Sequence, residues 1–239
     1  MSTILLLRLI FAHLLADFAL QSDRMCEKKS HRGRKGILFL LLHSFIHAVL
    51  AYLFVAQWEI WQIPLVIFFT HLGMDWFKAT HMKKDMSSFL IDQSVHLFII
   101  LMLWVVFLVD ISSLTETLVG WNVSKVWLVA IAYLLVLHPS SLLLGMFIKR
   151  WTPNEIENKG LPKAGKWIGY LERILILTFV LMGNMESVGF LLAAKSIFRF
   201  GELNKAQEIR TTEYVLIGTL ASFTIAILMG LVVKGLCLL

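Results

Sequence analysis

Four pairs of ionisable side chains, each pair four residues apart, lie inside hydrophobic segments near the start of this sequence. They are His13 with Asp17, His43 with His47, His71 with Asp75, and Asp92 with His96. Because residues four apart share one face of a helix, both members of each pair should point the same way. Imidazole nitrogens and carboxylate oxygens bind zinc, manganese or iron, and the same groups transfer protons. The pattern therefore predicts a metal centre or a proton path.

The metal interpretation assigns most of these residues a role, because a pair on one helix face can supply two ligands. The predicted ligands of one or two metal ions are His13, Asp17, His43, His47, His71 and Asp75. The predicted catalytic groups are Asp17, Asp75 and His96, and Asp92 with His96 could also orient a ligand. A metal-bound water is a nucleophile near neutral pH. The leading hypothesis is a hydrolase that acts on a phosphorylated or ester-linked lipid.

Composition places these residues in a membrane protein. The chain has 239 residues, of which 58% are hydrophobic and 16% are charged, and its mean hydropathy is +0.77. A soluble domain is about half apolar and about a quarter charged. Apolar runs of about twenty residues can cross a bilayer as helices, which satisfy their own backbone groups in lipid. The fold class is therefore predicted as an all-α, polytopic transmembrane helix bundle.

About eight membrane segments are expected. Their approximate ranges are 3–21, 36–57, 59–79, 89–109, 124–148, 166–182, 188–200 and 213–233. Pro139 should kink the fifth segment, and the seventh is short for a full span. We predict one integral membrane unit with two halves, 1–110 carrying the His/Asp pairs and 111–239 carrying a Glu/Arg/Lys cluster.

The distribution of basic residues predicts the orientation. Most of the 22 lysines and arginines fall in alternate loops, and such loops are cytoplasmic by the positive-inside rule. Both termini are then outside if all eight segments cross. Each His/Asp pair lies near the cytoplasmic end of its helix, so the pairs should form one layer. The net charge of +6 is explained by these loops, and no nucleic-acid partner is expected.

Polar residues around this layer are the predicted substrate-binding groups. Gln21 lies one turn beyond Asp17, and Lys78 lies near Asp75. In the second half, basic side chains could bind an anionic head group, as basic pockets between helices do: Arg173, Lys195 and Arg199. A structural ion-pair cluster with Glu172 or Glu213 is the favoured alternative for these three. The expected partners are the lipid bilayer and an anionic lipid or amphiphile.

Other functions stay open at this point, and whether the protein is an enzyme is among them. Asp and His chains also build proton relays, so a small proton- or ion-coupled transporter is one alternative. A noncatalytic membrane partner protein is another, in which the polar pairs only hydrogen-bond between helices and hold them together.

Three motifs resemble a known family. They read HLLADFALQ from His13, HSFIH from His43 and HLGMDWFK from His71. They are similar to HxxxDFxLQ, HxxxH and HxxxDxxK in bacterial inner-membrane proteins catalogued as domain of unknown function 3307. The resemblance implies a protein of the bacterial inner membrane and no established activity or cofactor. Later motifs, GKWIGYLER, AAKSIFRF and EYVLIGT, resemble a longer branch of the family. A looser similarity links the His/Asp pattern to predicted membrane-bound metal-dependent hydrolases.

Overall fold

The computed structural model describes residues 2–29, 33–83, 85–109, 125–152, 164–200 and 206–238. Regular structure within these ranges is helical, so the all-α prediction is confirmed. The helices are α1 (Ser2–Leu14), α2 (Asp23–Lys29), α3 (Arg34–Val55), α4 (Gln62–His81), α5 (Met86–Leu103), α6 (Lys125–Ile148), α7 (Ala164–Met182), α8 (Met185–Phe200) and α9 (Ala206–Leu238). Two of them continue as π-helical turns, α1 through Leu15–Ala19 and α5 through Trp104–Leu108.

Each of the eight predicted segments corresponds to one of these helices, and α2 is an additional short helix in the first loop. Within the described residues, four stretches are long and apolar enough to cross a membrane: Arg34–Val55, Met86–Leu108, Lys125–Trp151 and Thr211–Cys237. The chain therefore has the features of an integral membrane protein. The count of about eight membrane segments is not confirmed, and the orientation of the termini stays a prediction.

The chain forms two compact units, Met1–Leu134 and Leu135–Leu239. In the first unit, α3 packs along α4, and α1 contacts both α3 and α5. One apolar core joins these four helices: Leu5, Leu6, Leu9, Ala51, Val55, Ile63, Ile67, Ile100, Leu103, Trp104 and Val109. The predicted division into halves at residue 110 stays a prediction.

The two faces of α3 show how the sequence places polar residues inside the first unit. Buried positions recur every three or four residues: Leu40, His43, Ser44, His47, Ala48, Ala51 and Val55. The opposite face exposes large apolar side chains such as Leu38, Phe45 and Leu53. Extensive exposed apolar surface marks a membrane-facing region. The helical period therefore directs the histidines inward and the apolar side chains toward lipid.

The start of α5 is set by a side-chain cap. The Ser88 amide donates a hydrogen bond to Asp85 Oδ1 at 2.8 Å. This bond satisfies one of the unpaired amides at a helix N-terminus, and it lowers the pKa of the Asp85 carboxyl below its usual value. Because α5 begins at Met86, Asp92 and His96 both fall on its buried face.

In the second unit, Pro139 lies inside α6 as predicted. A proline has no backbone N–H, so the Leu135 carbonyl lacks its usual helical donor. The Ser140 hydroxyl donates to that carbonyl at 2.6 Å. Arg173 of α7, buried at 3% exposure, donates to the carbonyls of Val136 and Leu137 in the same turn. The interrupted turn is therefore satisfied by side chains.

Gly230 marks a close approach between α7 and α9. A Cβ atom at Gly230 would lie 2.6 Å from Val180 Cγ1. Overpacking of this kind costs about 1–3 kcal/mol, so Gly230→Ala should lower the free energy of unfolding by that amount. Gly235→Ala in the same helix is the control, because a Cβ there meets nothing within 4 Å. Thermal unfolding in detergent measures both variants, and equal melting temperatures for the two would contradict the prediction.

Candidate metal centre

The four His/Asp pairs meet in one place in the first unit. Helices α1, α3, α4 and α5 deliver five imidazoles and three carboxylates to a common cluster, which we call the His/Asp cluster. Its members are His13, Asp17, His43, His47, His71, Asp75, Asp92 and His96, and all but Asp17 are buried by residue exposure. The predicted layer of side chains from separate helices is therefore present.

Asp17 is the centre of the cluster. Its Oδ1 lies 3.0 Å from His43 Nε2, 3.1 Å from His47 Nε2 and 3.8 Å from His71 Nε2. One ligand atom from each of these four residues lies within 4.8 Å of the others, and we call them the Asp17 set. Ligand atoms around a tetrahedral zinc ion are about 3.3 Å apart, given bonds of about 2.0–2.1 Å. The spacing of the Asp17 set therefore suits one ion.

A second group of ligand atoms adjoins the first. His71, Asp75 and His96 also place ligand atoms within 4.8 Å of one another, and we call them the Asp75 set. His71 belongs to both sets. Its Nε2 lies 3.9 Å from Asp75 Oδ2, and the same oxygen lies 3.7 Å from His43 Nε2. If His71 bound an ion at the Asp75 set, three ligands would remain in the Asp17 set and three would be present in the Asp75 set. Three protein ligands are typical of catalytic zinc.

Two imidazole nitrogens in the cluster have no hydrogen-bond partner among the described residues. They are Nε2 of His71 and Nε2 of His96, and both side chains are buried. A buried polar atom without a partner normally costs free energy. The His71 ring also stacks on His47 and His96, with centroids 3.7 Å and 4.0 Å away. Rings this close suit neutral imidazoles, the form that binds metal ions. The chemistry of the donor set therefore fits a metal ion.

His13 is the predicted ligand that belongs to neither set. Its Nε2 lies 3.5 Å from Asp17 Oδ2 and 3.3 Å from Gln93 Oε1. Gln93 was not predicted, yet its amide donates to Asp17 Oδ2 at 2.9 Å and to Asp92 Oδ2 at 3.3 Å. The sequence does contain a signal for Gln93, because an amide side chain next to Asp92 is unusual inside an apolar segment. His13 and Gln93 therefore support Asp17 from the side opposite His43.

The π-helical turn in α1 contributes to this arrangement. Asp17 lies in the π-helical turn Leu15–Ala19 that follows α1. Such turns are rare and often occur at functional sites. A wider turn changes the direction of Asp17 relative to a regular helix, which the four-residue spacing from His13 does not predict.

Two lysines reach the cluster from outside. Lys78 Nζ donates to Asp92 Oδ2 at 2.5 Å, and Lys29 Nζ donates to Asp75 Oδ2 at 2.5 Å. The Lys78 side chain is 35% exposed, whereas that of Lys29 is only 12% exposed. Lys78 was a predicted substrate-binding residue and Lys29 was not, because Lys29 looks like the other basic residues of its loop. The amide of Gln21, also predicted, contacts His43 Nε2 at 3.2 Å.

A small cavity adjoins the imidazoles on the apolar side. Its volume is about 20 Å³, which is enough for one water molecule. It is lined by Leu9, His13, His47, Ala51, Ile67, Thr70, His71, His96, Ile99 and Ile100. The cluster therefore has a polar side, where the lysines lie, and an apolar side with room for a single water molecule.

The other predicted substrate-binding residues lie in the second unit. Arg173 donates to Ser141 Oγ and Ser222 Oγ in addition to the two α6 carbonyls. Lys195 Nζ donates to Glu172 Oε2 at 2.6 Å, which confirms the predicted ion pair with Glu172. The side chain of Arg199 lies outside the described part of the structure. A role for these three in substrate binding stays a prediction.

Comparison with known proteins bears on the cluster. The model of a family described as "Protein of unknown function (DUF3307)" matches residues 5–124. The chain belongs to this family. The match includes all eight members of the His/Asp cluster and ends before the second unit, so the later motifs lie outside the DUF3307 region. No curated protein matches the chain, and no solved structure does.

Proposed function

We propose that this DUF3307 protein is a metal-dependent hydrolase of the bacterial inner membrane. Its substrate would be a lipid or amphiphile with a phosphorylated or ester-linked head group. The observation that carries the proposal is the meeting of four buried or half-buried ligand atoms from Asp17, His43, His47 and His71 within 4.8 Å. Ionisable residues inside a membrane are expensive and usually functional. Ligand atoms at the spacing of a metal site support a catalytic role for the cluster more than a role in helix packing alone.

Under this proposal, the residues of the cluster have three roles, which are metal binding, proton transfer and the positioning of a ligand. The Asp17 set would hold the ion, and a water bound to the ion as an additional ligand would have a lowered pKa. His96 accepts a proton through its unpartnered Nε2, and Asp92 stabilises the resulting charge from 3.4 Å. Gln93 holds Asp17 in position through its 2.9 Å hydrogen bond. Second-layer contacts of this kind orient ligands in metal sites.

The substrate would be bound on the polar side of the cluster. Lys78 is the most exposed cation there, and its ammonium has donors left after the bond to Asp92. Gln21 adds an amide close to His43. The apolar outer faces of α3 and α5 expose residues such as Phe45 and Phe98, along which acyl chains can lie. The basic loops favour access from the cytoplasmic leaflet.

Metal content and hydrolysis test the proposal together. The wild-type protein, purified in detergent, should retain zinc, manganese or iron in stoichiometric amount. It should also release phosphate or head group from vesicles of anionic phospholipid. His43→Ala and His71→Ala should lose both properties, because each removes a ligand of the Asp17 set.

His81→Ala is the matched control, because His81 lies at the exposed end of α4 and should change neither property. A wild-type protein that folds correctly but binds no stoichiometric metal would contradict the proposal.

A proton-coupled carrier is the second candidate, and one observation favours it. Ionisable side chains adjoin one another from half-exposed Lys78 into the cluster. Lys78 contacts Asp92 at 2.5 Å, and Asp92 lies 3.4 Å from His96. The His96 and His13 ring centroids are 5.4 Å apart, and His13 lies 3.5 Å from Asp17. Chains of this type serve as proton relays in transporters. A carrier predicts pH-dependent flux in liposomes without hydrolysis, so the vesicle assay separates the two candidates.

A further inference from the structure

We propose that Lys29 supplies the second cation of the His/Asp cluster, so that the native centre binds one divalent metal ion and not two. The inference rests on the proposed metal site at the Asp17 set. It concerns the Asp75 set, whose ligand atoms would otherwise suit a second ion. In this proposal the Lys29 ammonium stands beside Asp75 in place of that ion.

The position of Lys29 is the first argument. Its Nζ lies 2.5 Å from Asp75 Oδ2, and this same oxygen faces His43 and His71 at 3.7 Å and 3.9 Å. The Lys29 side chain is 12% exposed although it comes from a loop helix. The ammonium therefore lies at the Asp75 oxygen that faces the two imidazoles, where a second metal ion would bind.

Charge is the second argument. Two ammonium groups already face the carboxylates, Lys29 at Asp75 and Lys78 at Asp92. With three carboxylates and neutral imidazoles, one divalent ion leaves the cluster with a single excess positive charge. A second ion beside both lysines would leave an excess of three positive charges. In a buried site of low dielectric, that repulsion is strong. A second ion can bind only if Lys29 leaves Asp75.

The neighbouring residue shows that this contact is particular to Lys29. Lys28, also in α2, is exposed, and its ammonium lies over the Phe39 ring at 4.8 Å. The two lysines have the same charge and adjacent positions in the chain. Of these two, Lys29 contacts the cluster and Lys28 does not, so Lys28 provides a matched control.

Zinc titration of the purified full-length protein tests the inference. Wild-type protein should bind one Zn²⁺ per chain, and Lys29→Met should bind two, because Asp75 is then free to act as a ligand. Lys29→Arg and Lys28→Met should each bind one. Two ions in the wild type, or one in Lys29→Met, would overturn this inference while leaving the Asp17 set intact. No zinc in any variant would overturn the proposed metal centre as well.

A second measurement covers the case in which Lys29→Met does not fold. Wild-type protein carrying one Zn²⁺ is treated with an amine-reactive reagent and analysed by mass spectrometry. Labelling of Lys29 should be at least about tenfold slower than that of Lys28, since burial and a charge-assisted hydrogen bond both protect its nitrogen. Equal labelling of the two lysines would show that Lys29 has left Asp75 in the one-zinc protein and would overturn the inference.

Discussion

Asp17→Asn is expected to lower the affinity of the protein for Zn²⁺ by on the order of 100-fold or more. Replacing a residue that only hydrogen-bonds to a metal ligand already lowers metal affinity by about 10–100-fold, and Asp17 is a predicted ligand. Asparagine has nearly the same shape as aspartate but carries no charge. Asp17 Oδ1 lies 3.0 Å from His43 Nε2 and 3.1 Å from His47 Nε2. The variant therefore keeps the packing of the π-helical turn while it removes the only carboxylate of the Asp17 set. Competition with a zinc-sensitive dye measures the change.

The matched control for this prediction is Asp85→Asn. It makes the same chemical change at the exposed N-cap of α5, where asparagine still accepts the Ser88 hydrogen bond and caps about as well as aspartate. Its zinc affinity should equal that of the wild type. If Asp17→Asn also binds zinc as tightly as the wild type, Asp17 serves as a hydrogen-bond acceptor and not as a ligand.

Arg173→Met is expected to destabilise the second unit by about 3–6 kcal/mol, because it removes two hydrogen bonds from a charged donor to α6 carbonyls, each worth roughly 1.5–3 kcal/mol. Arg173 donates to two carbonyls in the turn before Pro139, at Val136 and Leu137. Methionine fills a similar volume but donates no hydrogen bond. Unfolding in detergent by heat or denaturant measures the loss. Lys166→Met in the same helix is the control, because Lys166 is exposed and its replacement should have little effect.

A double substitution tests how the turn before Pro139 is satisfied. Pro139→Ala restores a backbone N–H that can donate to the Leu135 carbonyl, the acceptor that the Ser140 hydroxyl contacts at 2.6 Å. Ser140→Ala should therefore cost less in the Pro139→Ala background than in the wild type, with a coupling energy of about 0.5–3 kcal/mol. Additive effects would show that the Ser140 hydrogen bond stabilises the unit independently of the proline.

The elements of the fold follow closely from hydrophobic patterning. Eight apolar runs predicted eight helices, and each exists, because backbone hydrogen bonds in a helix are local and depend on few distant residues. The four-residue spacing of His43 and His47 also predicted that both would lie on the buried face of α3. Patterning did not establish the number of helices that cross the membrane, since length and apolarity identify four candidate spans in the part of the chain that the structure describes.

The site was less completely predictable than the helices. Members of the His/Asp cluster were recognisable because ionisable side chains are rare inside apolar segments. Lys29 was not recognisable, since nothing in a basic loop distinguishes the one lysine that folds inward. Gln93 was overlooked, although its amide lies beside Asp92 in an apolar run. Arg173 was predicted to bind an anionic head group or to pair with an acidic residue. The structure shows it donating to two α6 carbonyls and to two serine hydroxyls, and a role in substrate binding stays a prediction.

By itself, the sequence determined that this is an all-helical protein of the DUF3307 family, with imidazoles and carboxylates placed on inward-facing helical surfaces. Those properties depend on local spacing and on the cost of exposing polar groups to lipid. Only the tertiary structure decided that Asp17 lies between the histidines of α3 and α4, and that Lys29 is the cation at Asp75. These pairings join residues 26 to 54 positions apart, and contacts at such separation depend on how helices pack, which no local pattern specifies.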